Sequence, residues 1–169
     1  MAIKRSHIAG LALSASALVG LIAHEGYTDE AVIPVKGDRP TVGFGSTFKE
    51  DGSPVKMGDT ITPQKAIART LAHVQKDERG LKSCVIAPLN QVEYDLMVNF
   101  AYQYGSDSLC KSSIVKFANA GNYKASCEAY LLYKRVNGYD CSTPGSKRCP
   151  GVWLRSKERY NTCMDAQND

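Results

Sequence analysis

The chain has 169 residues, 43% of them apolar and 22% charged, with a net charge of +4. That length suits one domain with a real core and is short for two ordinary ones, and the composition is that of a globular protein, not a disordered one. So small and dispersed a charge excludes nucleic acid as the expected partner; it reads as solvated surface that still favours an anionic cell envelope.

Lys4 and Arg5 precede Ile8 to Ala23, sixteen uncharged residues of which nine are Ala, Gly or Ser. A positive-then-apolar order is that of a secretory signal or a membrane anchor. As one helix the stretch would reach about 24 Å, short of the roughly 30 Å hydrocarbon core, so a bilayer would hold it only marginally. It has two fates: cleavage after Ala15-Ser16-Ala17, or retention of an uncleaved segment that later leaves the bilayer. Cleavage would leave only Leu18 to His24 ahead of Glu25, and retention is the expectation. Residues 1–24 are thus an export segment, with transient inner-membrane association through residues 6–24 and a periplasmic destination. Residues 25–169 are the folded domain, expected to be a monomer.

After Glu25 the pattern turns to Gly, Pro and β-formers. Ala31-Val32-Ile33 and Thr41 to Gly45 read as strands separated by a turn over Lys36 to Pro40. Thr62-Pro63 places a cap and a first-turn proline at the start of a helix to about Arg79, with Ile67, Leu71, Val74 and Glu78 on one side. That long, mostly polar helix fits a connector between lobes, and His73 on it reads as surface. Asn90 and Glu93 form a capping pair before a helix ending at Gly105. Ser112 or Ser113 opens a short helix that stops at Gly121. Tyr123 to Arg135 reads as another helix, and Pro150 to about Met164 as the last. The fold class is α+β: a small sheet lobe, a long connecting helix and a mainly helical lobe.

The six cysteines lie at 84, 110, 127, 141, 149 and 163, with no Cys-x-x-Cys pair and only three histidines in the chain. Zinc is therefore not expected; an even cysteine count behind an export signal argues for three disulfides. Six cysteines permit 15 pairings. The expectation is Cys141–Cys149, closing the Ser/Thr/Pro/Gly-rich loop between them, with Cys84–Cys110 and Cys127–Cys163.

Glycoside hydrolysis needs an acid that protonates the leaving oxygen and a second group that handles water on the other sugar face. His24-Glu25-Gly26 sets a carboxyl at the end of an apolar run, where helix gives way to sheet. Apolar walls there would keep it protonated, as a general acid requires. Twelve residues on, Gly37 to Gly45 brings Asp38, Thr41 and two strand glycines together. Asp38 would orient or deprotonate a water and Thr41 would hold it; the glycines mark a close approach to backbone, here assigned to a sugar chain. An ordinary hairpin turn would carry the same Gly-Asp and Arg-Pro residues.

Glu25-Gly26 followed by Thr41-Val42-Gly43-Phe44-Gly45 resembles the catalytic region of the phage T4-type lysozymes, glycoside hydrolase family 24. The resemblance extends through Gln91-x-x-Tyr94-Asp95, Phe100-x-Tyr102-x-x-Gly105 and Gly151-Val152-x-x-Arg155, covering roughly residues 22 to 163. It implies a lysozyme-like fold and an endo-acting muramidase without metal or cofactor, as in phage endolysins with signal-arrest-release segments. It further implies cleavage between N-acetylmuramic acid and N-acetylglucosamine with inversion, which leaves room for a water between the two groups. The family pattern places Asp nine residues after Glu and six before Thr, where this chain has Pro34 and Val35. Asp38 stands three before Thr41, so the second group is Asp38 in a rebuilt turn, or Asp29, Glu30 or absent. Gly43, Phe44, Tyr102 and Gln103 are candidate sugar contacts, although the last two also suit a packed helix. Arg155 reads as fixing the last helix, and Trp153 as an anchor of the helical core. A lytic transglycosylase and a non-catalytic peptidoglycan-binding domain are the alternatives that the displaced aspartate leaves open.

Overall fold

The computed structural model describes residues 4–34, 37–136, 138–145 and 147–168. The chain forms two compact units, Leu13–Asp77 and a second made of Met1–Ala12 with Glu78–Asp169. The division does not fall at residue 24: the apolar N-terminal stretch is shared between the units. It is also not one helix. Ile8–Gly10 makes a single 3-10 turn, Leu11 is extended, and the helix α1 runs only over Ala15–Glu25. Ser14 starts it as an N-cap, its hydroxyl accepting the Ala17 N–H at 3.1 Å. Among the described residues no helix is long and apolar enough to cross a membrane.

In the sheet-bearing unit, β1 (Thr28–Val32) pairs antiparallel with β2 (Thr41–Gly43). The partners are Thr28 with Gly43 and Val32 with Thr41, so β1 bulges by two residues between them. That bulge turns Asp29 to Ala31 towards a second neighbour: Ile61 donates to the Asp29 carbonyl and Ala31 donates to that of Asp59, at 2.9 and 2.8 Å. Ala31, Val42, Phe44, Val55, Ile61 and Ala66 form the core beneath, with Ile22 of α1 packed against it.

The helix α2 covers Pro63–Cys84 and runs through the boundary of the two units. It continues past Arg79 because Gly80 has no side chain: a methyl there would meet Ser106 at 2.5 Å. Its buried face is not the expected one. Ala66, Thr70, Val74, Asp77 and Leu81 are buried, while Ile67 and Leu71 are exposed. Choosing the large apolar residues misplaced the stripe, because the close contact falls at the small Ala66.

The helical unit is built around α3 (Gln91–Tyr104), with α4 (Ser106–Cys110), α5 (Ser113–Asn119), α6 (Tyr123–Ala129) and α7 (Pro150–Asp165). The Asn90–Glu93 capping box and the Ser112 cap form as expected. The helix expected to reach Arg135 stops at Ala129, passes through a 3-10 turn, and gives way to a hairpin of β3 (Arg135–Val136) and β4 (Tyr139–Asp140). Gly138, at φ 80°, lies in the turn of that hairpin. All three disulfides pair as expected, Cys84–Cys110, Cys127–Cys163 and Cys141–Cys149.

In α7, Arg159 ties the helix to α3: it is buried and donates to Asn99 Oδ1 at 2.8 Å and Gln103 Oε1 at 2.6 Å. One assignment in this helix is corrected. Trp153 is half-buried with the ammonium groups of Lys134 and Lys157 at 6.0 and 5.7 Å from its ring, which is a surface arrangement and not a core anchor.

His73 has a partner that its sequence context did not suggest. Its Nε2 lies 3.5 Å from the carboxylate of Asp77, one helical turn on. Burial pushes the Asp77 carboxyl up to about 6, against an opposing pull from Lys76. Folded protein therefore keeps a proton that the unfolded chain releases near 3.8, so stability falls as pH rises through this window. At about 1.4 kcal/mol per pH unit, ionised Asp77 costs the fold about 3 kcal/mol at neutral pH. Denaturant titrations between pH 4 and pH 7 should show that decline in the parent protein and a flatter profile in Asp77→Asn.

Candidate active site

Glu25 is the last residue of α1 and is half-buried. Two residues on, Tyr27 locks the exit from the helix. Its hydroxyl donates to the Ile61 carbonyl at 2.7 Å, and its ring lies 5.5 Å from that of Phe44. Sequence reasoning missed Tyr27, whose partners lie 17 and 34 residues away. The carboxyl itself rests against the turn after β2. Gly45 has φ 77°, and an alanine methyl there would stand 3.2 Å from Glu25 Oε2. A bare backbone at 45 therefore gives the carboxyl its place.

The two strand glycines thus have separate explanations. What approaches Gly43 is Ala66 of α2: a methyl at 43 would meet the Ala66 methyl at 2.9 Å, at φ 69°. On its Cβ side Gly43 is therefore closed by protein, which gives this glycine a packing reason. The Phe44 ring is buried in the core beside Tyr27. Gly43→Ala combines a clash with an unfavourable backbone region and should cost about 2–3 kcal/mol in denaturant unfolding.

Thr41 begins β2, and its hydroxyl donates to the Val32 carbonyl at 3.4 Å, leaving oxygen lone pairs to accept from another donor. It stands two residues, roughly 7 Å, along the strand from Gly43. Asp38 is exposed in the turn ahead of Thr41, where its carboxylate accepts the Arg39 N–H at 2.9 Å. Asp29 and Glu30 lie in the bulged part of β1 with exposed side chains. Val35 and Lys36, in the expected turn, lie outside the described residues. Gln103 is held by Arg159, which gives it a packing role in the helical unit, and Tyr102 is half-buried on the same helix.

A carboxyl on a helix end beside a glycine turn, with a threonine in the adjoining hairpin, is what the glycan-cleaving reading of the sequence expects. The phage lysozyme family model matches residues 22–158, which include all of these groups. The chain belongs to the phage lysozyme family. It is a lysozyme-type glycosidase that acts on peptidoglycan. Among its relatives is the endolysin of Salmonella phage P22, 32% identical over 124 residues, which are 73% of this chain and 84% of that protein. Another is the SAR-endolysin of Pseudomonas phage phiKMV, 32% identical over 127 residues, 75% of this chain and 74% of that one. Among solved structures, the endolysin from Escherichia coli O157:H7 phage FAHEc1 superimposes with a TM-score of 0.79 at 28% identity, covering 93% of this chain and 96% of its own. The lysozyme-like α+β fold follows from these matches.

Proposed function

We propose that the protein is an exported endolysin that lyses its host by hydrolysing the β-1,4 bond between N-acetylmuramic acid and N-acetylglucosamine. Glu25 is the general acid that protonates the leaving oxygen. The observation that carries this role is the seating of its carboxyl against Gly45, at a helix end locked by Tyr27. Thr41 accepts a hydrogen from the attacking water, and Asp38 orients or deprotonates that water from the preceding turn. Attack from the face opposite the acid inverts the anomeric centre. Proton NMR of freshly formed products tests this: the α-anomer should appear first, and an initial β-anomer would exclude the inverting scheme.

Export uses the N-terminal stretch, which then stays in the enzyme. Two observations support retention over cleavage. Arg5 pairs with the buried Glu93 at 2.6 Å, and Ser6 exchanges backbone hydrogen bonds with Leu89 at 2.8 and 2.9 Å. Both would be lost with residues 1–17. While the stretch lies in the inner membrane, α1 is not available to present Glu25, so the tethered form is inactive. Specific lytic activity in membrane and soluble periplasmic fractions should differ strongly; equal activity contradicts the tether. The protein acts as a monomer on peptidoglycan.

A further inference from the structure

Within the unit Leu13–Asp77, a groove of about 1110 Å³ runs between α2 and the loop after β2. Its floor is a single helical stripe. Lys65, Ala68, Ala72 and Lys76 follow one another at i, i+3, i+7 and i+11, all exposed. At 1.5 Å per residue the two lysines stand about 16 Å apart. Phe48, 49% exposed, is part of the opposite wall.

The other charges of the groove are already matched. Arg69 holds Glu50 with two nitrogens, the shortest contact being 2.8 Å, which ties the loop wall to the helix. Lys49 pairs with Asp59 at 2.8 Å. Burial pushes the pKa of His73 down, with Lys76 acting in the same direction. The groove is left net positive, with a lysine at each end of a floor of alanines; among the described residues neither lysine has a direct ion pair, Lys65 acting only at a distance on Glu50 and Lys76 on Asp77.

We propose that this groove binds the stem peptide of peptidoglycan through the free carboxylates of that peptide. An extended chain covers about 3.3–3.6 Å per residue, so a floor of about 16 Å holds four to five residues, the length of a stem peptide, whose free carboxylates lie on its second and later residues within reach of the flexible lysine side chains. The alanine floor and the Phe48 ring suit its small side chains. The position fits as well. Gly45 lines the groove and also borders the Glu25 carboxyl. The stem peptide springs from the muramic acid at the bond that Glu25 is assigned to cleave, so the inference rests on that reading of the site.

The test measures binding and catalysis separately on the full oxidised protein. A synthetic stem tetrapeptide with free carboxylates should bind, by NMR titration, about five- to tenfold more tightly than its fully amidated form. Lys65→Gln with Lys76→Gln should abolish that difference; glutamine at exposed helix positions preserves the helix. In kinetics, the parent should show a lower KM for intact peptidoglycan than for amidase-stripped glycan, and the double variant should lose this preference. Equal binding of the two peptides, or a preference that survives in the double variant, overturns the proposal. So does lysine-dependent binding of phosphatidylglycerol vesicles without peptide binding, which would make the groove a lipid site. If the parent cleaves neither substrate, the muramidase reading fails, while the peptide titration still decides the groove.

Discussion

Glu25→Gln is expected to lower the rate of peptidoglycan cleavage by about a hundred- to ten-thousandfold while leaving the fold intact. General-acid catalysis contributes roughly 10²–10⁴ in rate, and no other carboxyl sits where Glu25 does. Glutamine keeps the shape of the side chain and its place against Gly45, so thermal unfolding should shift by no more than about 2 °C. Turbidity loss of outer-membrane-permeabilised cells measures the activity. Asp38→Asn and Thr41→Ala extend the test to the water-handling groups: each should lose activity with the fold retained. A variant of Asp38 with full activity would leave Thr41 alone in that role.

Removal of the Arg5 charge is expected to have the largest effect on stability. The Arg5 guanidinium is bidentate on Glu93, donates to Gln167 Oε1 at 2.7 Å, and lies 3.5 Å over the Tyr123 ring. Glu93 is 3% exposed, and it also closes the N-terminal cap of α3. Without Arg5, a buried carboxylate is left with uncharged partners only, which costs about 2–4 kcal/mol. For a chain of this size that lowers the melting temperature by about 5–10 °C. Arg5→Gln should show this loss, and so should a chain lacking residues 1–17. Adding Glu93→Gln to Arg5→Gln should restore most of it, because a glutamine at that position still supports the cap and buries no charge. An unchanged melting temperature in Arg5→Gln would contradict the pairing and with it the case for a retained N-terminus.

What was legible in the sequence was local chemistry. The Asn90–Glu93 box, the Ser112 cap, Pro150 at the start of α7 and the Ser/Thr/Pro/Gly-rich loop under Cys141–Cys149 each announce themselves within a few residues. The Glu25 position was legible for the same reason, since a helix end and a glycine-rich turn are both local signals. What depends on distant partners was not. Arg5 has the composition of an export signal, and nothing near it reveals Glu93, 88 residues away. Gly43 reads as an opening for a ligand, and nothing near it reveals Ala66, 23 residues on, which closes its Cβ side. The buried stripe of α2 was misplaced because Ala66 and Thr70 carry the contact that Ile67 and Leu71 seemed suited to make. Gln103 reads as a sugar contact or as a packed residue, and its bond to Arg159, 56 residues away, is not visible in the sequence around it.

The N-terminal stretch is where these two kinds of information meet. Its composition speaks of a bilayer, and its contacts speak of a folded enzyme. The Lys82 ammonium donates to the Leu11 carbonyl at 2.6 Å and Gln91 donates to that of Ala12 at 2.8 Å, so its backbone is held by the same unit that binds Arg5. The proposed export scheme asks one segment to serve both states, which its weakly apolar composition allows.

The account stands or falls on hydrolysis of the muramyl bond with water as the acceptor. Mass spectrometry of fragments released from purified sacculi measures this most directly. The prediction is that the new termini are reducing N-acetylmuramic acid, produced by the parent protein and not by Glu25→Gln. Termini of 1,6-anhydro-muramic acid, or the same fragments from Glu25→Gln, would contradict it.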